Sequence, residues 1–254
     1  MHANSEGKYR IPILTYHSID TSGSIISTSP EKFLQQMQFL SHYSYNVISL
    51  SKIISFINEK QPFPKKTVAI TFDDGFNNIF EIAYPILRKL GYTATIFLVT
   101  GYCGKKNNWS GQLRGVPEFD LLEWDKVIEM ANNGIEFGSH TMSHPDLTEL
   151  TLAQAREEIV GAKRSQKERL GKEPLFFAYP YGRESNKIRE IVRDEFKCAL
   201  STVLEFVNTD SNIYSLPRID MCYFSRNNFF TWLGTSKFSG YINIRKFLRS
   251  LRSI

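Results

Sequence analysis

An α/β fold with mostly parallel strands is what the sequence predicts, and three observations predict it. Short apolar runs rich in β-branched residues alternate with longer amphipathic segments along the chain. The polar residues with chemical potential, His17, Asp73, Asp74, His140 and Tyr181, each fall just past the end of an apolar run. In parallel α/β folds that edge is where sites are built. The chain has 254 residues, 42% hydrophobic and 22% charged, a balance that supports one sizeable core and excludes the disordered and collagen-like classes. A single domain spanning 1–254 is expected, since α/β barrels of this size form one unit.

The elements follow in order. Ile11 to Tyr16 is the first strand and ends in the loop from His17 to Asp20, followed by a Ser/Thr-rich connection to Ser29. Ser29 as N-cap and Pro30 at the first helical position open a helix in which Phe33, Met37 and Leu40 recur at helical spacing. A short strand at Asn46 to Ile48 and a helix from Ser51 to Glu59 precede the strongest strand, Thr67 to Phe72, which runs into Asp73-Asp74-Gly75. A helix from Asn77 to Leu90, stopped by Gly91, feeds the strand Thr93 to Val99, giving a βαβ unit. A polar loop from Gly101 to Phe119 carries Trp109 and is long enough to be functional. Helix Leu121 to Asn132, strand Ile135 to Ser139, a charged helix from Thr151 to Leu170 stopped by Gly171, and strand Leu175 to Tyr179 come next. A helix from Asn186 to Phe196, a strand from Cys198 to Thr202 and the segment Leu216 to Ile219 complete roughly seven or eight strands. Residues 241–254 read as a basic amphipathic helix, pairing Ile244, Phe247, Leu248 and Leu251 with Arg245, Lys246, Arg249 and Arg252. Such a helix either docks its apolar face on its own fold or lies on an anionic membrane surface.

Charge and cysteine usage narrow the partners. With 31 basic and 26 acidic residues the net charge is +5, scattered without a run, so no nucleic-acid partner is expected. A modest surplus suits an anionic glycan, a phosphate- or lipid-linked sugar carrier, or simply a solvated surface. Three cysteines, odd in number and without a C-x-x-C pair, indicate neither a disulfide framework nor a thiolate zinc site. Met1 to Arg10 is polar and lacks an apolar core segment, and no stretch of 18 apolar residues occurs. The expectation is a cytoplasmic protein, at the inner membrane face if the terminal helix binds lipid, or an exported one if the natural chain begins further upstream.

The chemistry concentrates in two pairs. Asp73 and Asp74 crowd two carboxylates at the end of an apolar strand, where like charges drive one pKa up unless a cation intervenes. A turn or N-cap role explains one of them well and the pair less well. His140 and His144 stand four apart among only five histidines, a spacing that points both imidazoles at one ion. Two imidazoles and a carboxylate make the facial set that accepts zinc, nickel, cobalt or iron, with zinc first. With Asp74 as the carboxylate, Asp73 is left beside the ion as a general base.

The ordered set Thr71-Phe72-Asp73-Asp74-Gly75, His140-x-x-x-His144 and Tyr179-Pro180-Tyr181-Gly182 resembles the NodB-type polysaccharide deacetylases, carbohydrate esterase family 4. The resemblance runs from Ile11 to about Ile219. It implies a distorted (β/α) barrel of about seven parallel strands, with Asp73 as base and Asp74, His140 and His144 as metal ligands. It also implies a backbone N–H at Tyr181 that helps hold the oxyanion, and a site wall to which Trp124 contributes. Trp109, Tyr179 and Pro180 are expected to meet the substrate as well.

Two departures stand out: Ala178 occupies the usual arginine position, and no histidine follows His144. The chain resembles a circularly permuted subgroup that deacetylates biofilm poly-N-acetylglucosamine, through Pro12 to His17 and through Leu216-Pro217-Arg218. That likeness implies His17 as general acid and Arg218 as the group orienting Asp73. The implied function is hydrolysis of N-acetyl groups on a sugar or polysaccharide by attack of a metal-bound water. The alternatives are an O-acetyl esterase or cyclic amide hydrolase on the same scaffold, and a non-catalytic carbohydrate-binding relative.

Overall fold

The structure is a computed structural model that describes residues 10–225 and 227–251. Seven parallel strands close into a barrel: β1 (Ile13–Tyr16), β5 (Thr67–Phe72), β6 (Thr95–Leu98), β7 (Glu136–Ser139), β8 (Phe176–Ala178), β9 (Cys198–Leu204) and β10 (Leu216–Asp220). They follow one another around the barrel in sequence order, and β1 closes it by pairing with both β10 and β5. A short β4 (Asn46–Val47) adds to the start of β5, and β2 (Ser18–Ile19) pairs with β3 (Ser27–Thr28) outside the barrel.

The helices between strands form where the sequence supplies their ends. In α1 (Pro30–His42) the Ser29 side chain accepts the Lys32 N–H, and Pro30 sits at the first turn. α2 (Leu50–Asn58) follows Ser49 as N-cap. Between β5 and β6 a π-helical turn, Ile79–Ala83, runs into α3 (Tyr84–Leu90), which Gly91 ends at φ 66°. α4 (Trp124–Asn132) begins three residues later than the pattern predicts, because Leu121 and Leu122 are buried under the preceding loop. α5 (Leu152–Leu170) opens on a reciprocal Thr151/Gln154 capping box and closes on Gly171. α6 (Asn186–Glu195) leads into β9.

Side chains alternate across the strands, as a barrel requires. Leu14, Tyr16, Ile70, Phe72, Ile96 and Leu98 pack outward into the cluster that includes residues of α1, α3 and α4. Ile13, Ala69, Phe97, Ala178, Leu200 and Leu216 form a second cluster that fills the barrel and is continued by Ile53, Ile54 and Ile57 of α2. The Leu50 N–H bonds Glu136 at the start of β7, so α2 covers the end of the barrel where the strands begin. The opposite end stays open.

The last helix, α7 (Ser236–Ser250), starts five residues earlier than the pattern predicts, with Thr235 as N-cap. Residues 252–254 of the expected helix lie outside the described residues. The docking differs from the self-packing expectation: Phe238 and Ile242 are buried, whereas every residue of the predicted apolar face, Ile244, Phe247, Leu248 and Leu251, is exposed. Among the described residues no helix is long and apolar enough to cross a membrane.

Candidate active site

Parallel register brings the predicted residues to one rim. Tyr16 pairs with Phe72, so His17 and Asp73 leave adjacent strands side by side, and the Asp73 N–H bonds Tyr16 O at 3.0 Å. Leu98 pairs with Ser139, and His140 N–H extends that ladder to Leu98 O at 2.9 Å.

The two neighbouring aspartates part company through a backbone reversal. Asp74 adopts φ 69° and Gly75 φ 75°, where a Cβ on Gly75 would stand 2.8 Å from Leu98 Cδ2. Asp73 turns to Arg218, whose Nη1 and Nη2 donate at 2.7 and 2.8 Å to its two oxygens while Nε donates to Ser201 O at 3.0 Å. Both groups are buried. Burial alone pushes the Asp73 carboxyl up, but the Arg218 guanidinium and the nearby imidazoles outweigh it and hold the group below the usual carboxylate range. The two carboxylates therefore need not share a proton, because Asp73 has its own cationic partner in Arg218.

Asp74 faces the histidines. Its Oδ1 lies 3.5 Å from His140 Nε2 and 3.4 Å from His144 Nε2, and all three side chains are buried. Ligand atoms about 2.0–2.1 Å from a tetrahedral zinc stand roughly 3.3–3.4 Å apart, which the two Asp74–imidazole distances match, and all three candidate ligand atoms lie within 4.8 Å of one another. His140 Nδ1 donates to Ala178 O at 2.7 Å, which fixes the neutral tautomer that leaves the Nε2 lone pair facing Asp74 and open to a cation. His144 Nδ1 is buried without a partner. That ring is held instead by Trp109 and Tyr181, each with its centroid 4.6 Å away. Burial opposes the Asp74 charge, yet the facing His140 and His144 imidazoles keep its carboxyl well below the usual range. A buried carboxylate facing two converging imidazoles suits a cation.

Local strain marks the same rim. Thr141, His144 and Tyr181 all adopt left-handed φ values, 69°, 59° and 58°, although none is glycine. The turn carrying His144 is pinned by Glu158 of α5, whose Oε2 accepts the N–H groups of Met142 and Ser143, both at 2.9 Å. Sequence reasoning passes over Glu158, since one acid in a charged helix carries no signal of its own. The Tyr181 hydroxyl donates to Gly111 O at 3.1 Å.

His17 Nε2 stands 3.9 Å from Asp73 Oδ2 at the mouth of a cleft of about 650 Å³. Asp73, Asp74, His140, His144, Tyr179 and Tyr181 also line this cleft. Three expected substrate contacts are placed differently. Trp124 opens α4 and is half-buried in the outer core with the Arg169 guanidinium 5.8 Å above its ring, so it does not line the cleft. Trp109 is buried behind His144 rather than facing the opening, and Pro180 is buried in the turn that shapes Tyr181.

Residues 60–195 match the polysaccharide deacetylase family. The chain is 30% identical over 203 residues to the poly-beta-1,6-N-acetyl-D-glucosamine N-deacetylase of Staphylococcus aureus, covering 76% of this chain and 67% of that one. Among solved structures, Streptococcus pyogenes deacetylase PplD in complex with acetate is 26% identical at a TM-score of 0.73, covering 84% of this chain and 92% of that one. IcaB from Ammonifex degensii is 25% identical at a TM-score of 0.72, covering 83% and 91%. With more than half its length inside the family match, the chain belongs to the polysaccharide deacetylase family and is a hydrolase of carbon–nitrogen bonds.

Proposed function

We propose that the protein removes N-acetyl groups from a polysaccharide of the poly-N-acetylglucosamine class and uses one divalent metal, zinc first, held by Asp74, His140 and His144. The observation that carries this reading is the opposition, across one cleft, of that donor set and the Asp73–Arg218 pair with His17 beside it. The S. aureus relative's name supports the sugar class. A metal ion bound there would act as a Lewis acid on the acetyl carbonyl and acidify a water.

The chain's own residues supply the remaining steps. Asp73, kept ionised by Arg218, accepts the proton of the attacking water, and the two-point grip of the guanidinium fixes which lone pairs face the cleft. The backbone N–H of Tyr181 is a preorganised donor for the charge that develops on the carbonyl oxygen. His17, in its protonated form, donates from Nε2 to the departing amine. An ester alcohol leaves more readily and depends less on that proton, so His17 favours amide over ester hydrolysis.

The test is acetate release by the purified protein from β-1,6-linked N-acetylglucosamine oligomers, after chelation and again after zinc is restored. Release that falls on chelation and returns with zinc supports the proposal. Chelator-insensitive release overturns the metal assignment, and release from O-acetylated but not N-acetylated sugars overturns the amide assignment.

A further inference from the structure

The two histidines of the donor set are oriented by different means. The His140 ring is fixed by its own hydrogen bond, from Nδ1 to Ala178 O, whereas His144 Nδ1 is buried with no such partner among the described residues. A metal-binding histidine ordinarily has its second ring nitrogen held by a hydrogen bond, and that bond sets the ring's direction. For His144 the aim of Nε2 at Asp74 Oδ1, 3.4 Å away, depends instead on ring contacts with Trp109 and Tyr181 and on the backbone that carries the residue.

That backbone is strained and tied down on two sides. Thr141 and His144 hold left-handed φ values, 69° and 59°, which a non-glycine residue keeps only where its surroundings enforce them. On one side, the turn after β6 donates from Thr100 N–H to Thr141 O at 3.1 Å and from Gly101 N–H to Met142 O at 2.9 Å. On the other, Glu158 of α5 accepts three hydrogen bonds. Its Oε2 takes the Met142 and Ser143 N–H groups, both at 2.9 Å, and its Oε1 takes the Ser143 hydroxyl at 2.7 Å. The next N–H along, that of His144, goes to Thr141 Oγ1 at 2.9 Å. One turn further along α5, Gly161 leaves room for the Met142 side chain, since a Cβ there would stand 2.5 Å from its Sδ. The adjacent acid, Glu157, is exposed and pairs with Arg164 at 3.1 Å, as a solvated helix face would have it. Glu158 directs its side-chain hydrogen bonds to the histidine turn instead, and a carboxylate meeting consecutive backbone N–H groups is a charge-assisted grip.

We propose that Glu158 is a positioning residue for the metal site: by gripping the turn between the two histidines it sets the direction of His144 Nε2, and with it the affinity for the ion. The proposal rests on the metal reading of Asp74, His140 and His144, and its test reads metal binding rather than turnover.

Zinc affinity is measured by competition with a chromogenic chelator for the unmodified protein, Glu158→Ala, Glu158→Gln, His144→Ala and the double variant Glu158→Ala/His144→Ala. Circular dichroism checks that each is folded. Glu158→Ala is expected to weaken zinc binding about ten- to a hundredfold. Glu158→Gln keeps an oxygen for the Met142 and Ser143 N–H groups and should hold affinity within about threefold of the unmodified protein. In the His144→Ala background, removing Glu158 should change affinity by less than about twofold, because the residue it aims is gone. A general loosening of the fold would instead weaken binding equally in both backgrounds. Unchanged zinc affinity in Glu158→Ala, an equal loss with and without His144, or a Gln variant as weak as the Ala variant overturns the positioning role. Zinc binding that survives His140→Ala intact would show that the ion is held elsewhere, and would remove the metal reading itself.

Discussion

The two walls of the cleft reach the same rim by different routes. On one side, Asp74, His140 and His144 follow strands β5 and β7, with β6 between them, and are set by local devices: left-handed turns, a ring nitrogen paired with Ala178 O, and Glu158 gripping the turn before His144. All of these residues lie within 60–195, the span that matches the family. On the other side, His17 follows the first barrel strand, Arg218 sits in the last, and α7 comes after both; none of them lies in that span. They meet the metal wall only because β1 pairs with β10 and β5, with Leu14 against Ile219 and Ile70. The metal wall is thus a property of short segments, and the acid-and-base wall a property of barrel closure.

Substitutions on either wall should therefore separate metal retention from turnover. His140→Ala is expected to lose the metal, measured by elemental analysis, and to lower acetate release by about a thousandfold or more, since Lewis-acid stabilisation is worth several kcal/mol. His17→Ala should lower kcat about a hundredfold or more for an N-acetyl substrate, as expected for loss of a general acid, with metal content unchanged. If that variant also loses metal, the two walls are not independent and the comparison fails.

Arg218→Met leaves the Asp73 carboxylate buried without its cation, and should lower stability by about 3–5 kcal/mol, read as a lower Tm with the metal still bound. Burial then acts on Asp73 unopposed, so its pKa rises. The acid limb of the kcat/KM profile should move to higher pH, because the base is protonated sooner as pH falls.

Gly182→Ala tests the turn between the walls. A Cβ there would stand 2.0 Å from Thr202 Oγ1 at a φ of 69°, so about 1–3 kcal/mol of strain is expected together with a several-fold drop in kcat as the Tyr181 N–H shifts. Smallest of all, Trp124→Phe should leave kcat/KM within about twofold, as surface-proximal replacements do. A larger fall would return that ring to the substrate wall.

The same division explains what was legible in the sequence. Ser29-Pro30, Gly91 and Gly171 announce helix ends because capping is local chemistry, and all three act as predicted. Asp73-Asp74-Gly75 and the His140/His144 pair are likewise readable, since their spacing encodes their convergence. Which aspartate does what is not encoded in spacing. It is decided by the reversal at Asp74 and by a guanidinium 145 residues away from Asp73. His17 and Arg218 emerge only through likeness to a family, because a lone histidine and an arginine after proline have commonplace explanations. Trp124 misleads for the converse reason: position in a motif says where a residue stands along the chain, whereas the start of α4 decides which side its ring faces. The inward stripe of α7 is invisible from periodicity, which reports that a helix has two faces but not which one the barrel receives.

Barrel closure by β10 also orders events in time. A growing polypeptide that has emerged only as far as residue 195 already contains Asp73, Asp74, His140 and His144, yet it lacks both the guanidinium that pairs with Asp73 and the strand that seals the barrel. Hydrolytic competence is consequently among the last things this chain acquires during its synthesis, because a nascent or C-terminally clipped product would carry these side chains without the strand that completes the site.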